Sequence, residues 1–462
     1  MQSTHAASAV SVSFSEPNLV AHAGLVAGVR LVEQCGLSGL IDAKVAITGA
    51  ANSAGANAGA KVTSVVAGML AGADSIDDVD VLRHGATDRL FTGIRAPSTL
   101  GSFLRAFTWG HVRQLESAGR EFTHRLTAHA RLLPDVDSVV YLDIDSKVKR
   151  VYGAKKQGAA HGYTKVRGLH FQVVTARTPT SGPVIVATRL RKGSAGSAKG
   201  AASLIREAIR AVRAMGAGGL IILRADSAFF SHKVVAACRA HDVRFSVTVA
   251  NRKKIRQAIA GIAETTWQAI EYPQAIFDKE EQRWISDAEV AEVTYTAFTG
   301  KAKRYHTGAR LLIRRVKRLS APAEPTTDGE PSAAWRYHCV FTDSTFDLID
   351  AEADHRDHAQ IEQVFADLED SALAHLPSGK FTANAAWLTC AALTYNLTRA
   401  LGTLASTFHA KARTGTIRRH LITVPGRIVS TARTLHLRLP TTWPWADAIT
   451  DLWTATGHRL RT

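Results

Sequence analysis

The chain of 462 residues is 46% hydrophobic and 21% charged, a globular composition with room for about two to four domains, which excludes disorder as its main state. With 57 Lys and Arg against 40 Asp and Glu, the net charge is +17 and the pI about 9.9, which favours a polyanionic partner such as nucleic acid. Cys35, Cys238, Cys339 and Cys390 are too scattered for a disulfide framework or a zinc knuckle, "AAWLTCAALTYNL" is too short and polar to span a bilayer, and the first residues lack a basic signal segment. A cytoplasmic protein with no membrane partner is expected.

Residues 18–130 repeat apolar side chains at three- and four-residue intervals, predicting an all-helical N-terminal domain over 1–134. Its last helix begins at Pro97, Ser98 and Thr99 and runs through "TLGSFLRAFTWGHVRQLESAGREFTHRLTAHARLL". This domain is either a helix-turn-helix DNA reader or a plain helical bundle. Beyond Pro134 the period changes. Strands are predicted at 138–145, 168–176 and 182–190, then a helix at 201–216, a strand at 219–226, a helix at 231–241 and a strand at 243–250. The order β-β-β-α-β-α-β over 135–250 gives an α/β fold with a mixed sheet flanked by helices. Residues 251–337 break into short strands and an exposed loop, "SAPAEPTTDGEPSAA", predicting a β-rich insertion. The core resumes over 338–408 with two helices, and 409–462 form a basic tail.

Charge is unevenly placed. Ser146 to Arg206 contains no Asp or Glu but thirteen Lys or Arg, among them Lys147, Lys149, Arg150, Lys155, Lys156, Lys165 and Arg167. Ser371 to Ala446 is also free of acids and carries nine basic residues, including Arg418 and Arg419. Two such stretches point to phosphate contacts.

Acids stand beside the first stretch. Strand alternation puts Tyr141, Asp143 and Asp145 on one face of "SVVYLDID", and "GLIILRAD" ends in Asp226 just before a helix. Neighbouring strands that both end in Asp can bring their carboxylates together at the carboxyl edge of the sheet. In "HRDHAQIEQVFADLE", His355, His358 and Glu362 share a helix face. Three carboxylates without cysteine suit Mg²⁺ or Mn²⁺, and a basic surround would draw nucleic-acid phosphates against them. Zinc on His355, His358 and Glu362 is the weaker ligand set.

Taken together, "DID", "RADSAFF" and "HRDHAQIEQVFADLE", with "VYGAKKQGAAHGYTKVRGLH", "LRKGSAGSAKGAA" and "LPSGKFTANAAWLTCAALTYNL", resemble the DDE transposases of bacterial insertion sequences, over about residues 55–405. Asp226 follows Asp145 by 81 residues and Glu362 follows Asp226 by 136, spacing similar to members with a β-rich insertion before the Glu. The resemblance implies a ribonuclease H-like catalytic domain. It implies Asp145, Asp226 and Glu362 as catalytic acids holding two Mg²⁺ or Mn²⁺ ions, with Asp143 the competitor for the first place. It further implies double-stranded DNA as substrate, both terminal inverted repeats and target, cut and joined by a homodimer in a nucleoid-associated setting. Where the family has Thr, Tyr, Arg and Lys, this chain has Lys147, His355, His358 and Glu369. His355 and His358 remain candidate DNA contacts, and the resemblance suggests Trp267 or Trp284 as a ring that stacks on an unpaired base, each being otherwise a core residue of the insertion. A catalytically impaired DNA-binding derivative and a structure-selective nuclease on the same fold are the alternatives.

Overall fold

The computed structural model describes residue 4 and residues 7–48, 54–270, 277–278, 283–284, 288–317, 335–431 and 434–458. The chain begins with a short strand, β1 (Leu19–Val20), and helices α1 (Leu25–Gln34), α2 (Leu37–Lys44), α3 (Ala58–Ala71), α4 (Pro97–Arg105) and α5 (Trp109–Ala130). The single long helix expected from Thr99 is interrupted. Thr108 accepts from the His111 N–H while the His111 ring accepts from the Thr108 N–H, a reciprocal cap that starts α5 afresh.

Next come β2 (Val139–Arg150), β3 (Ala160–His161), β4 (Arg167–Arg177), β5 (Val184–Lys192), α6 (Ala201–Ala214), β6 (Leu220–Ala225), α7 (His232–Arg239) and β7 (Arg244–Val249). β2, β6 and β7 run parallel, while β4 pairs antiparallel with both β2 and β5, so these strands lie in the order β5-β4-β2-β6-β7. β2 extends past its predicted end at Asp145 because β4 stays paired with it as far as Arg150 and Gly168.

The insertion continues the same sheet. After α8 (Lys253–Ala260), β8 (Gln268–Ile270), β9 (Phe277–Asp278) and β10 (Arg283–Trp284), strands β11 (Ala288–Ala297), β12 (Thr307–Lys317) and β13 (Trp335–Thr342) add to the edge of β7 in the order β7-β13-β12-β11-β8. β13 reaches the core because it pairs with β7 on one side and β12 on the other. The expected loop "SAPAEPTTDGEPSAA" and the side chain of Trp284 lie outside the described residues.

Helices α9 (Leu348–Arg356), α10 (Gln360–Glu369) and α11 (Phe381–Ala405) follow. Every residue of α11 from Ala383 to Gly402 is buried, its Asn, Thr and Arg side chains included. It packs on α5, α3 and β5, and Asn396 clasps the backbone of Ile185 through both its amide atoms. The N-terminal helices therefore share one hydrophobic core with the sheet. The C-terminal segment is not a free tail either. It forms α12 (Thr407–Lys411), α13 (Thr414–Ile417), a π-helical turn at Arg418–Ile422, β14 (Gly426–Thr431), β15 (Thr434–Arg438) and α14 (Ala446–Ala455), and β14 pairs with β1. Ile417, Leu421, Ile422, Val424 and Leu452 bury it. Among the described residues no helix is long and apolar enough to cross a membrane.

Candidate active site

β2 presents its odd-numbered side chains to the α9–α10 segment. The Tyr141 hydroxyl donates to Asp354 at 2.9 Å, His358 Nδ1 lies 3.3 Å from Asp143, and Lys147 Nζ reaches Glu369. Asp145, between the last two of these pairs, feels the charge of Glu362. The partners Asp354, His358 and Glu369 advance along the α9–α10 segment as Tyr141, Asp143 and Lys147 advance along β2, so Glu362, exposed on α10, lies between the last two levels.

The parallel pairing supplies the second acid. Its last register pair is Ile144 with Ala225, so Asp145 and Asp226 are the next residues on adjacent strands. Asp226 also caps the turn at Ser227–Phe229, accepting from the Ala228 N–H at 3.1 Å. Capping and a place at the site are compatible, because one carboxylate oxygen remains. Burial pushes the Asp145 carboxyl up to about 6; the charges of Asp226 and Glu362 add to this, while the Ser146 N–H, at 2.6 Å, and His358 oppose it. Asp226 is also raised, mainly by burial.

Asp143 is placed differently. It pairs in register with Arg224 and is gripped at both oxygens by that guanidinium, at 2.6 and 2.7 Å, with the two side chains 1% and 0% exposed. Burial raises its carboxyl, but Arg224 and His358 outweigh this and hold it below the usual range. Arg224 also donates to the Asp354 carbonyl, and Arg177 pairs with Asp357. Sequence reading missed this network. The available signal was an Arg in the apolar run "GLIILRAD", at the register position of an acid on the neighbouring strand.

The family described as transposase DDE domain group 1 matches residues 2–458. The chain belongs to that family. No curated protein matches it. Membership makes this chain a transposase with DNA as substrate, of a class that cleaves and transesterifies nucleic acid with divalent metal ions.

In the transposase, two of the residues that depart from the familiar pattern form a pair: Lys147 engages Glu369, as does Lys149. His355 is buried, its ring nitrogens 2.9 Å from the Ser246 hydroxyl and 2.8 Å from the Thr248 hydroxyl, and burial lowers it to about 3. It is a neutral internal strut, which corrects its reading as a DNA contact and removes it from a zinc set. His358 stays beside the acids. Lys156 donates to the Leu376 carbonyl and Arg167 to those of Val151 and Ala154, whereas Arg150, Lys155, Lys165 and Arg419 are exposed. Arg418 is half-buried near Asp367 and Asp370. The Trp267 ring is covered by the Arg315 guanidinium at 4.2 Å, a packing role and not an open stacking face.

Among the described residues no group of three or more His, Cys, Asp or Glu is gathered closely enough to hold a metal ion. The donor chemistry nevertheless fits a hard divalent cation. Mg²⁺ is commonly held by one or two carboxylates together with water and substrate phosphates, without an all-protein cage. A partly buried Asp145 whose carboxyl is raised by burial and by the charges of Asp226 and Glu362 is also the electrostatic state that such a cation relieves.

Proposed function

We propose that this transposase cuts and rejoins insertion-sequence ends by a cut-and-paste route, on a ribonuclease H-like core, with Asp145, Asp226 and Glu362 as its catalytic acids. The observation that supports the reading is the parallel β2–β6 register, in which Asp145 and Asp226 each follow the last pair, Ile144 with Ala225, together with the charge of Glu362 felt at Asp145. Those three side chains would hold Mg²⁺ or Mn²⁺, which when bound supplies activation of the attacking oxygen and neutralisation of the leaving one. The protein's own part is placement. The Asp143–Arg224 pair locks the strands in register, and His358 keeps a polar contact beneath the acids. Arg150, Lys155, Lys165 and Arg419 attract the DNA backbone. Holding two terminal repeats together at once calls for a homodimer.

Incubating the purified protein with DNA from either side of its gene, with Mg²⁺ and with chelator, tests this. Mg²⁺-dependent nicks at inverted repeats, followed by joining to target DNA, are expected. The second reading, a DNA-binding protein with impaired catalysis, draws on the open spacing of the acids, and binding without any nick would favour it.

Lys147 and Lys149 enter the reading through Glu369. Their ion pairs are partly exposed, so losing them costs under about 1 kcal/mol. Glu369→Gln frees two cations beside the acids. DNA binding is expected to tighten, and the slope of log affinity against log salt to steepen by about 1 to 2. An unchanged slope in a salt titration would show that these lysines do not reach phosphate.

A further inference from the structure

Beyond Asp145, the β2–β4 hairpin ends in a tip that the catalytic reading leaves unused. Two tyrosines there are bare to solvent, Tyr152 at 77% and Tyr163 at 103% exposure. Tyr152 lines an open cleft of about 480 Å³ with Arg150, Lys165 and Arg167, and no acid lies anywhere between Ser146 and Arg206. No ion pair engages Arg150 or Lys165 among the described residues. The tip is nonetheless anchored. Lys156 donates to the Leu376 carbonyl, the Gln157 N–H bonds the Gly379 carbonyl at 2.9 Å, and the Gln157 side chain accepts from the Phe381 N–H. Gly153 and Lys165 adopt left-handed backbone, with φ of 89° and 57°, which turns the chain sharply on either side of the cleft. Tyr152 thus faces outward on a braced hairpin beside cations without ion pairs, and Tyr163 stands bare two residues before Lys165 on the returning segment.

We propose that Tyr152 and Tyr163 are a stacking platform for unpaired bases of the DNA strand at the active site, with Arg150 and Lys165 holding its phosphates. Aromatic rings set in a cationic groove recognise single strands because every base has a π face, while duplex offers them only its edges and backbone. The inference rests on the catalytic reading for its substrate and adds where that substrate opens. Arg150 lies five residues beyond Asp145 along β2, about 17 Å of strand. At about 3.4 Å per stacked nucleotide, the stacked base falls within about five nucleotides of the cut.

The test uses the full chain, a mixed-sequence single strand carrying 2-aminopurine, and a duplex of the same sequence. Tyr152→Ala with Tyr163→Ala is expected to weaken single-strand binding at least about tenfold and to abolish 2-aminopurine quenching. Duplex affinity should stay within about threefold, and Tyr152→Phe with Tyr163→Phe should keep both properties, since a phenyl ring stacks equally well. Both side chains are exposed, so the fold tolerates these changes. Single-strand binding that survives the Ala pair overturns the platform, as does an equal loss on duplex or an equal loss with Phe. A wild type that nicks element ends but shows no tyrosine dependence refutes the platform alone. A wild type that never nicks yet binds single strands through these rings refutes the catalytic reading alone.

Discussion

Asp145→Asn should remove Mg²⁺-dependent nicking by at least about 1,000-fold, leave duplex affinity within about twofold, and make the metal-free protein more stable at pH 7.5. The first effect follows from losing a ligand whose charge stabilisation is worth several kcal/mol, at a factor of ten per about 1.4 kcal/mol. The third follows from linkage. In the folded protein the Asp145 carboxyl sits at about 6, above about 3.9 in an unfolded chain. The folded state therefore holds this proton more tightly. Stability from the group is fully present below about pH 4 and is lost as pH rises through 6, a penalty on the order of 3 kcal/mol. Asn carries no such penalty, so melting curves should show the variant above wild type at pH 7.5 and level with it near pH 4. Mg²⁺ should raise the wild-type melting temperature and leave the variant unmoved. The apparent affinity of the wild type for Mg²⁺ should fall as pH drops through 6, because proton and cation compete for the same carboxylate. A variant no more stable than wild type at pH 7.5 would mean that Asp145 is not under the strain described.

The same side chains show how much of the protein was open to reading in one dimension. Alternation in "SVVYLDID" and "GLIILRAD" revealed two buried strands with acids at their ends, because burial on both faces leaves an apolar run that polar residues interrupt only at a boundary or for a purpose. The helix of Glu362 was visible through Ile361, Val364, Phe365 and Leu368, all of which the structure buries. Register was hidden. Whether Asp145 or Asp143 lies level with Asp226 depends on which residues of β2 and β6 face each other, and that pairing is set by the crossover through α6 and by Arg224. For the same reason Lys147 and Glu369 read as two isolated departures. Their contact joins positions 222 residues apart, where only a folded strand and helix reveal that one charge answers the other. In the sequence the insertion looks like a separate piece because its strands are short and its loop is polar. The edge of β7, which it extends, leaves no trace in the local pattern.

The acid two residues earlier should behave in the opposite way. Asp143→Asn leaves Arg224, whose side chain is 0% exposed, with only Asp357, 3.9 Å away, as countercharge and close to the Arg177 guanidinium. Arg177 already has burial and Arg224 lowering it. Removing one partner from a buried ion pair costs about 3–5 kcal/mol, a large part of the roughly 5–15 kcal/mol that holds a typical protein folded. The expected outcome is a marked drop in the denaturant midpoint at pH 7.5, where Asp145→Asn gives a rise. Asp143→Leu combined with Arg224→Met removes both charges and should recover most of that loss, since a buried pair replaced by apolar groups of similar volume is close to neutral. This double variant also separates structure from chemistry. If Asp143 serves only to hold β2 and β6 in register, the refolded double variant should keep the wild-type response of its melting temperature to Mg²⁺, because Asp145, Asp226 and Glu362 are intact. If that response vanishes while stability returns, Asp143 itself contacts the ion. The assignment of the first acid would then pass from Asp145 to Asp143.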